Sequence, residues 1–389
     1  MNLVCIPYHD WRKIEEEGAR TRDAHIIGHL EKQDIVDKLL IINRPITHSE
    51  IIIKKKKKKI SGEKIYSYKQ SSLYKISPKL YVLDYFSNDL LGPVIHKRKW
   101  FFDAFEEKKL QEAYEKAISF LKIQNSTILT QNIFSAKFIA KNFNQKRAFD
   151  AWDNFALFPS NSTSKSLFEE AYHLMAKSCN TWFTNSDENI VYYKEHYNPK
   201  ECILVKNGVD INKFSTKYPL PDDMKNIPHP IVGFGGKISH LVDYQLINYL
   251  TKKNPDKSFV FVGQILDKDV FNKIEKTTNV FYLGDKNYSQ YPAYVTNFDI
   301  GIVPYVVKKL QHGGDSMKVY EYLAAGLNVI GVPAGGMQDL SSYIYLANSA
   351  EEFSQGIENA VIGRSLNNLP NFYTWNFKVK EIIKILNEI

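Results

Sequence analysis

The sequence predicts two α/β domains, each a mostly parallel sheet covered by helices, and three observations lead there. Short apolar runs alternate with amphipathic stretches from end to end, which is the pattern of βαβ units. At 389 residues the chain is too long for one ordinary core and comfortable for two. Near the middle the alternation is interrupted between "LVKNGVDINKF" and "NIPHPIVGF", where Asn207-Gly208 supplies a turn after a strand and a polar, proline-containing stretch follows.

In the first half, strands are expected at "NLVCIP", "DKLLIINRP", "KLYVLDY", "STILTQ", "KRAFD", "TWFTN" and "CILVKN", with helices between most of them. The second half repeats the pattern with "PIVGFGG", "SFVFVGQ", "NVFYLG", "DIGIVPY", "NVIGVP" and "YIYLAN". Each half therefore reads as a Rossmann-like domain, the first over 1–205 and the second over 206–372. The last segment, 373–389, is an amphipathic helix with no strand after it. We expect it to pack back across the join onto the N-terminal domain. Ligands of open α/β sheets sit beyond the carboxyl ends of the strands, so two such domains facing a cleft would each hold one substrate.

Hydrophobic residues make up 44% and charged ones 24%, the balance of a globular chain rather than a disordered or fibrous one. No run has the length of a membrane span, and the opening "MNLVCIPYHDWRKIEEEG" lacks the basic and apolar regions of a secretory signal. A cytoplasmic location is expected. Cys5, Cys179 and Cys202 are far apart, with neither a disulfide framework nor metal-ligand spacing, and read as small core hydrophobes. The formal charge of +8 suggests an anionic partner: phosphate ligands, nucleic acid or an anionic membrane face. Lysine-rich codon usage would produce the same charge.

Chemistry concentrates in the second half. "IVGFGGKIS" places Gly233, Gly235, Gly236 and Lys237 after a strand and before a helix that begins near Asp243. Glycines let backbone approach phosphate oxygens, and a helix start offers free N–H groups. The spacing is neither G-x-G-x-x-G nor Walker A. Further on, "DSMKVYEYLAAG" sets Lys318 and Glu321 three apart on one helix face among Val319, Tyr320, Tyr322 and Leu323. An acid facing a ligand can accept both hydroxyls of a ribose, and a lysine one turn away can neutralise a diphosphate. A solvated Lys/Glu pair would be worth only a few tenths of a kcal/mol, and the apolar neighbours leave little of this helix polar.

These residues carry a resemblance. Lys318, Glu321, Tyr322, Ala324 and Gly326 match the K-x-x-E-Y-x-A-x-G pattern of the donor domain of GT-B glycosyltransferases. The similarity is to bacterial enzymes that build envelope polysaccharides, such as the teichuronic acid glycosyltransferases, with the xanthan glucuronosyltransferase more distant. It runs through "GFGGKISHLVDYQLINYL", "FVFVGQ" and "NVFYLGDKNYSQYPAYVTNFDIGIVPY". The resemblance implies a GT-B fold and a nucleoside diphosphate sugar, by the family's habit a uridine one, as substrate rather than cofactor. No bound metal ion is expected. It also implies Glu321 on the ribose, Lys318 and Gly235, Gly236 and Lys237 near the diphosphate, and Gly263 lining the nucleotide pocket. Tyr305, His312 and Met317 would then border the sugar.

Many retaining relatives carry an acid eight positions before the ribose-binding glutamate, where this chain has Gly313. The departure favours inversion, which needs a base on the acceptor side. In "AFDAWDNFALF", Asp150, Asp153 and Asn154 match a D-x-x-D-[DN] segment of the similar enzymes. Asp153 is the expected base, with Asp150 orienting it or binding substrate, and aromatic surroundings suited to raising a carboxylate pKa. The same carboxylates can simply end a strand and cap a helix. Near the N-terminus, Trp11, Arg22 and His25 are the expected contacts to acceptor or diphosphate.

Lys54 to Lys59 form a run in the acceptor domain, and "HKRKWFF" sets Trp100, Phe101 and Phe102 beside more cations. Both suit peripheral contact with an anionic membrane on its cytoplasmic face and a glycan or lipid-linked acceptor. A solvated loop and core aromatics explain them equally. The reading is a glycosyltransferase acting on a cell-envelope glycan. A DNA-modifying glucosyltransferase is the alternative that would use nucleic acid, and no recognition motif supports it. A sugar-nucleotide epimerase and a non-catalytic nucleotide-sugar-binding protein share the fold.

Overall fold

The computed structural model describes residues 1–53, 59–307, 314–362 and 369–389. The chain divides into two compact units, Met1–Lys206 with Val379–Ile389, and Asn207–Lys378.

Among the described residues, unit 1 is built on nine strands: β1 (Asn2–Ile6), β2 (Lys38–Ile42), β3 (Glu63–Tyr68), β4 (Ser71–Lys75), β5 (Leu80–Tyr85), β6 (Ser126–Thr130), β7 (Lys146–Asp150), β8 (Thr181–Thr184) and β9 (Cys202–Leu204). Their order across the sheet is β3-β4-β5-β2-β1-β6-β7-β8-β9. From β5 to β9 every pairing is parallel, with Val4 opposite Leu40 on one side and Ile128 on the other. Strands covered on both faces read as unbroken apolar runs, as "KLLII" and "STILT" do.

The seven strands expected in this half are present, and the β3–β4 hairpin is an addition. Its turn at Lys69-Gln70 puts Lys69 at φ 48 without the glycine or asparagine that normally announces such a turn. The hairpin pairs antiparallel onto β5. Cys5 and Cys179 are buried among the apolar side chains of this unit and Cys202 is half-buried. Trp100 and Phe102 are buried as well. They belong to the core and do not form the interfacial patch that "HKRKWFF" suggests, because the helix Arg98–Glu106 turns them inward while its one lysine, Lys99, faces out.

Unit 2 carries six strands among its described residues: β10 (Ile231–Gly235), β11 (Ser258–Val262), β12 (Val280–Tyr282), β13 (Ile300–Val303), β14 (Asn328–Gly331) and β15 (Tyr345–Leu346). All pair in parallel, in the order β12-β11-β10-β13-β14-β15. Each sheet therefore has a point where the winding reverses, between β1 and β6 in the first and between β10 and β13 in the second. At such points the loops leave in opposite directions and open a crevice at the carboxyl ends. The final helix, Trp375–Glu388, starts in unit 2, where Trp375 N donates to the Val209 carbonyl (3.2 Å), and its residues from Val379 onward belong to unit 1.

Candidate active site

At the reversal point of the second sheet, the chain leaves β10 through Gly236 and Lys237 and leaves β13 through Pro304 and Tyr305. Bridges of Ile238 to Ile265 and of Val242 to Tyr305 hold this connection before the helix Tyr244–Lys253 begins. Asp243 caps that helix by accepting from Gln245 N and Leu246 N, both at 3.0 Å.

Gly236 stands at φ 149 and Gly263, at the end of the neighbouring β11, at φ 148. Side chains rarely tolerate that backbone, and here neither has room for one. A Cβ on Gly263 would meet the Gly236 carbonyl oxygen at 2.0 Å, and one on Gly236 would meet Lys318 Cε at 2.7 Å. Gly263 therefore lets Gly236 lie flat against β11, where Gly236 N donates to the Val262 carbonyl (2.8 Å). Gly235 still belongs to the strand and donates its N–H to Tyr322 Oη (2.6 Å). Lys237 follows half-buried.

The helix Met317–Ala324 lies against this turn with Val319, Tyr320, Tyr322 and Leu323 all buried. Lys318 is half-buried, donates to Tyr305 Oη, and sits 4.7 Å from the Tyr305 ring centroid and 5.4 Å from that of Phe234. Two aromatic faces stabilise an ammonium group without neutralising it. Glu321 is buried and accepts from Tyr288 Oη at 2.7 Å. Burial pushes its carboxyl up to about 7, against the hydrogen bond from Tyr288 and the charge of Lys318. Lys318, Glu321, Tyr305, Gly235, Gly236, Lys237 and Gly263 are thus brought together. Met317 opens the helix, half-buried, and His312 lies outside the described residues.

Asp315 has a part that its spacing does not announce. Its carboxylate accepts from Asn207 N and from Tyr320 Oη (2.6 Å), while Asn207 Nδ2 donates to its carbonyl (2.7 Å). It ties the start of the Lys318/Glu321 helix to the first residue of unit 2.

Within unit 1 the polar groups gather at the carboxyl ends of the strands. Asp150, the last residue of β7, is buried and grips the buried Arg22 guanidinium through Nε (3.0 Å) and Nη2 (2.9 Å). Gln131, just after β6, donates to the same carboxylate at 3.0 Å. Asp150 is occupied in holding Arg22 and Gln131. Asp153, three residues on, is half-buried, and its carbonyl accepts from Tyr172 Oη at 2.9 Å. Trp11 is buried at the start of the helix Trp11–Glu17, its indole N–H donating to Glu15 (3.0 Å) and its backbone N–H to Asn43 (2.8 Å). His25 is buried on the helix Arg22–Glu31.

A further pair escapes the sequence. His9 follows β1, and its Nδ1 lies 2.9 Å from Asp23 Oδ2, while its backbone N–H donates to the same oxygen at 3.0 Å. Burial pushes Asp23 up, but the charge and hydrogen bonds of His9 and the Thr21 hydroxyl outweigh it and hold the carboxyl well below the usual range. Whenever the ring is neutral, a carboxylate on Nδ1 fixes the tautomer and leaves the lone pair on Nε2. The only sequence trace is a histidine three residues past an apolar strand. Tyr8 links the pair to the Asp153 segment, its ring 5.2 Å from His9 and 6.1 Å from Trp152. Among the described residues no group of three His, Cys, Asp or Glu side chains is placed to hold a metal ion.

The fold has counterparts among solved structures. Trehalose-6-phosphate synthase superposes with a TM-score of 0.65 at 12% identity, covering 100% of this chain and 99% of that one. The chain has the GT-B fold. The Escherichia coli protein bound with UDP-2-fluoro glucose gives 0.64 at 12% identity over 100% and 99% of the two chains. The Burkholderia xenovorans trehalose-phosphate synthase in complex with glucose-6-phosphate gives 0.63 at 10% identity over 100% of both. Glycosyl transfer by trehalose-6-phosphate synthase proceeds with retention. In sequence, 131 residues are 31% identical to the "Putative teichuronic acid biosynthesis glycosyltransferase TuaH" of Bacillus subtilis (strain 168). That match spans 33% of each chain. No family model matches the sequence.

Proposed function

We propose that the protein is a glycosyltransferase that moves a sugar from a nucleoside diphosphate sugar, of the uridine type, to a hydroxyl of a cell-envelope glycan. The observation that carries this is the placement of Lys318 against the Gly236 turn at the reversal point of the second sheet, one helical turn from the buried Glu321. The buried Glu321 accepts the ribose hydroxyls, and Lys318 neutralises the diphosphate. Gly236 and Lys237 bring backbone close to the phosphate oxygens. Tyr305 and Met317 border the sugar. The uridine and envelope assignments draw on the relatives rather than on any residue that reads the base.

In this reading the chain's own groups do the chemistry. Asp153 takes the proton from the acceptor hydroxyl as that oxygen attacks the anomeric carbon. The bond to the diphosphate breaks, and Lys318 with the turn N–H groups stabilises the charge that develops there. Arg22, Trp11 and His25 are the acceptor-side contacts, and Asp150 positions Arg22. Attack from the face opposite the leaving group inverts the sugar, and the absence of an acid eight residues before Glu321 supports that course.

The His9–Asp23 pair favours a second assignment of the base. In its neutral form an imidazole held by a buried carboxylate can accept a proton at Nε2, with the carboxylate balancing the charge that results. Asp153→Asn and His9→Gln distinguish the two. The true base variant loses turnover by about two to four orders of magnitude, with donor affinity unchanged. The assay incubates UDP-sugars with membrane-derived glycans and reads UDP release and, by NMR, the anomeric configuration of the product. Full activity in both variants would remove the base assignment, and a retained configuration would remove inversion.

A further inference from the structure

Six large aliphatic side chains of unit 1 stand in the open on two neighbouring segments. Ile52 and Ile53 end the helix His48–Ile53, and Leu90, Leu91, Val94 and Ile95 lie around the short helix Gly92–Ile95. Each is between 47% and 76% exposed. Single exposed aliphatics are ordinary, but a cluster on adjoining segments marks a surface that is covered in use. The segments are tied together, because Ser49 Oγ donates to the Leu90 carbonyl at 2.5 Å. Ile53, Pro93 and Val94 also share the wall of a cavity of about 390 Å³.

The rest of that wall, apart from Phe101, is polar and basic: Lys97, Arg98 and the hydroxyls of Ser49, Ser160, Thr163 and Ser164. Its one carboxylate, Glu50, is taken by Arg44 at 2.8 Å. Exposed His96, Lys97 and Lys99 flank the aliphatic cluster, Lys99 in a 2.6 Å pair with Asp103 and Asp89 accepting from Gly92 N at 2.9 Å. Aliphatic side chains with cations beside them match the two layers of a membrane interface, acyl chains below and phosphates above. A protein partner would be expected to meet a surface less rich in lysine.

We propose that this end of unit 1 docks on the surface of an anionic phospholipid bilayer. Ile52, Ile53, Leu91, Val94 and Ile95 enter the acyl boundary, and Lys97 and Arg98 meet the headgroup phosphates. Among the described residues no helix is long and apolar enough to cross a membrane. Lys59 is exposed, and Lys54 to Lys58 lie outside the described residues; the site stands without them. The inference rests on the proposed function only for its purpose, the presentation of a lipid-linked acceptor. Vesicle binding is read without turnover, so the two fail separately.

The test is cosedimentation of the full chain with vesicles of equal parts phosphatidylglycerol and phosphatidylcholine, and with phosphatidylcholine alone. Binding to the anionic vesicles, released by salt, is expected. The double variant Leu91→Asp with Ile95→Asp should bind at least about tenfold less, and Ile52→Asp, on the other segment, should bind several-fold less. Lys97→Gln should weaken binding and flatten its salt dependence. Circular dichroism and the thermal unfolding midpoint check that each variant is folded. Wild-type protein that stays in the supernatant, equal binding to neutral vesicles, or an undiminished double variant with its native circular dichroism and unfolding midpoint intact would overturn the proposal.

Discussion

Lys318 lies directly over Gly236, so that a Cβ on the glycine would come 2.7 Å from its Cε and 3.3 Å from its Nζ. A strand-end turn and a helix far along the chain thus form one object, and the lysine reaches its place only because the turn has no side chain. Gly236→Ala should push Lys318 aside as well as strain a backbone at φ 149. A charge-assisted contact to phosphate is worth about 1.5–3 kcal/mol, so affinity for UDP should fall by roughly ten- to a hundredfold. Calorimetry on Gly236→Ala and Lys318→Ala checks this, and the two losses should not add, because both remove the same contact.

Gly263→Ala should damage the fold more than the site. Its Cβ would meet a backbone oxygen, that of Gly236, at 2.0 Å, and a backbone oxygen cannot swing away as the end of a lysine can. A loss of more than about 2 kcal/mol is expected, visible as a fall of several degrees in Tm. An unchanged Tm would mean the two strand ends are not packed as described.

Nucleotide-sugar affinity should depend on pH through Glu321. Burial pushes its carboxyl from 4.5 to about 7 in the free protein. Ribose hydroxyls donate to the ionised form, so binding favours loss of the proton. Affinity should rise as pH passes through about 7 and level off above it. A nucleotide sugar is the right probe, because its diphosphate has no proton of its own to exchange near neutrality. In the free protein the sign is opposite: stability from this group is complete below 4.5 and is lost as pH rises through about 7. Tyr288→Phe removes a hydrogen bond that favours the carboxylate and should move the affinity midpoint upward.

Arg22→Ala should be costly because it strands Asp150. The pair is buried on both sides, with contacts of 2.9 and 3.0 Å. Removing one partner of such a pair costs about 3–5 kcal/mol. The double variant Arg22→Ala with Asp150→Ala should recover part of that stability without recovering turnover. Denaturant titration of the three variants measures the coupling.

Both sheets were legible in the sequence because parallel strands buried on two faces are continuous apolar runs, as in Ile231–Gly235 and Ser258–Val262. The β3–β4 hairpin was not, since its strands are half-exposed and its turn uses Lys69 where glycine or asparagine would be the signal. Lys318 and Glu321 stood out because charge among buried aromatics needs a ligand or a partner. His9 and Asp23 did not, because their pairing depends on how the loop after β1 meets the helix Arg22–Glu31, and no spacing rule expresses that. The same holds for Asp315, whose partner Asn207 is fixed only by the folded unit. Trp100 and Phe102 illustrate the converse: an aromatic run beside cations looks interfacial until the helix direction is known.

The central claim is that Lys318, Glu321 and the Gly236 turn hold a nucleoside diphosphate. Calorimetric titration of the full chain with UDP, GDP and a panel of their sugars, alongside Glu321→Ala, tests it most directly. Binding of one nucleotide series to the wild type, weakened at least about tenfold in Glu321→Ala, is the expected result. Absence of binding by every nucleotide, or equal binding by the variant, would contradict it.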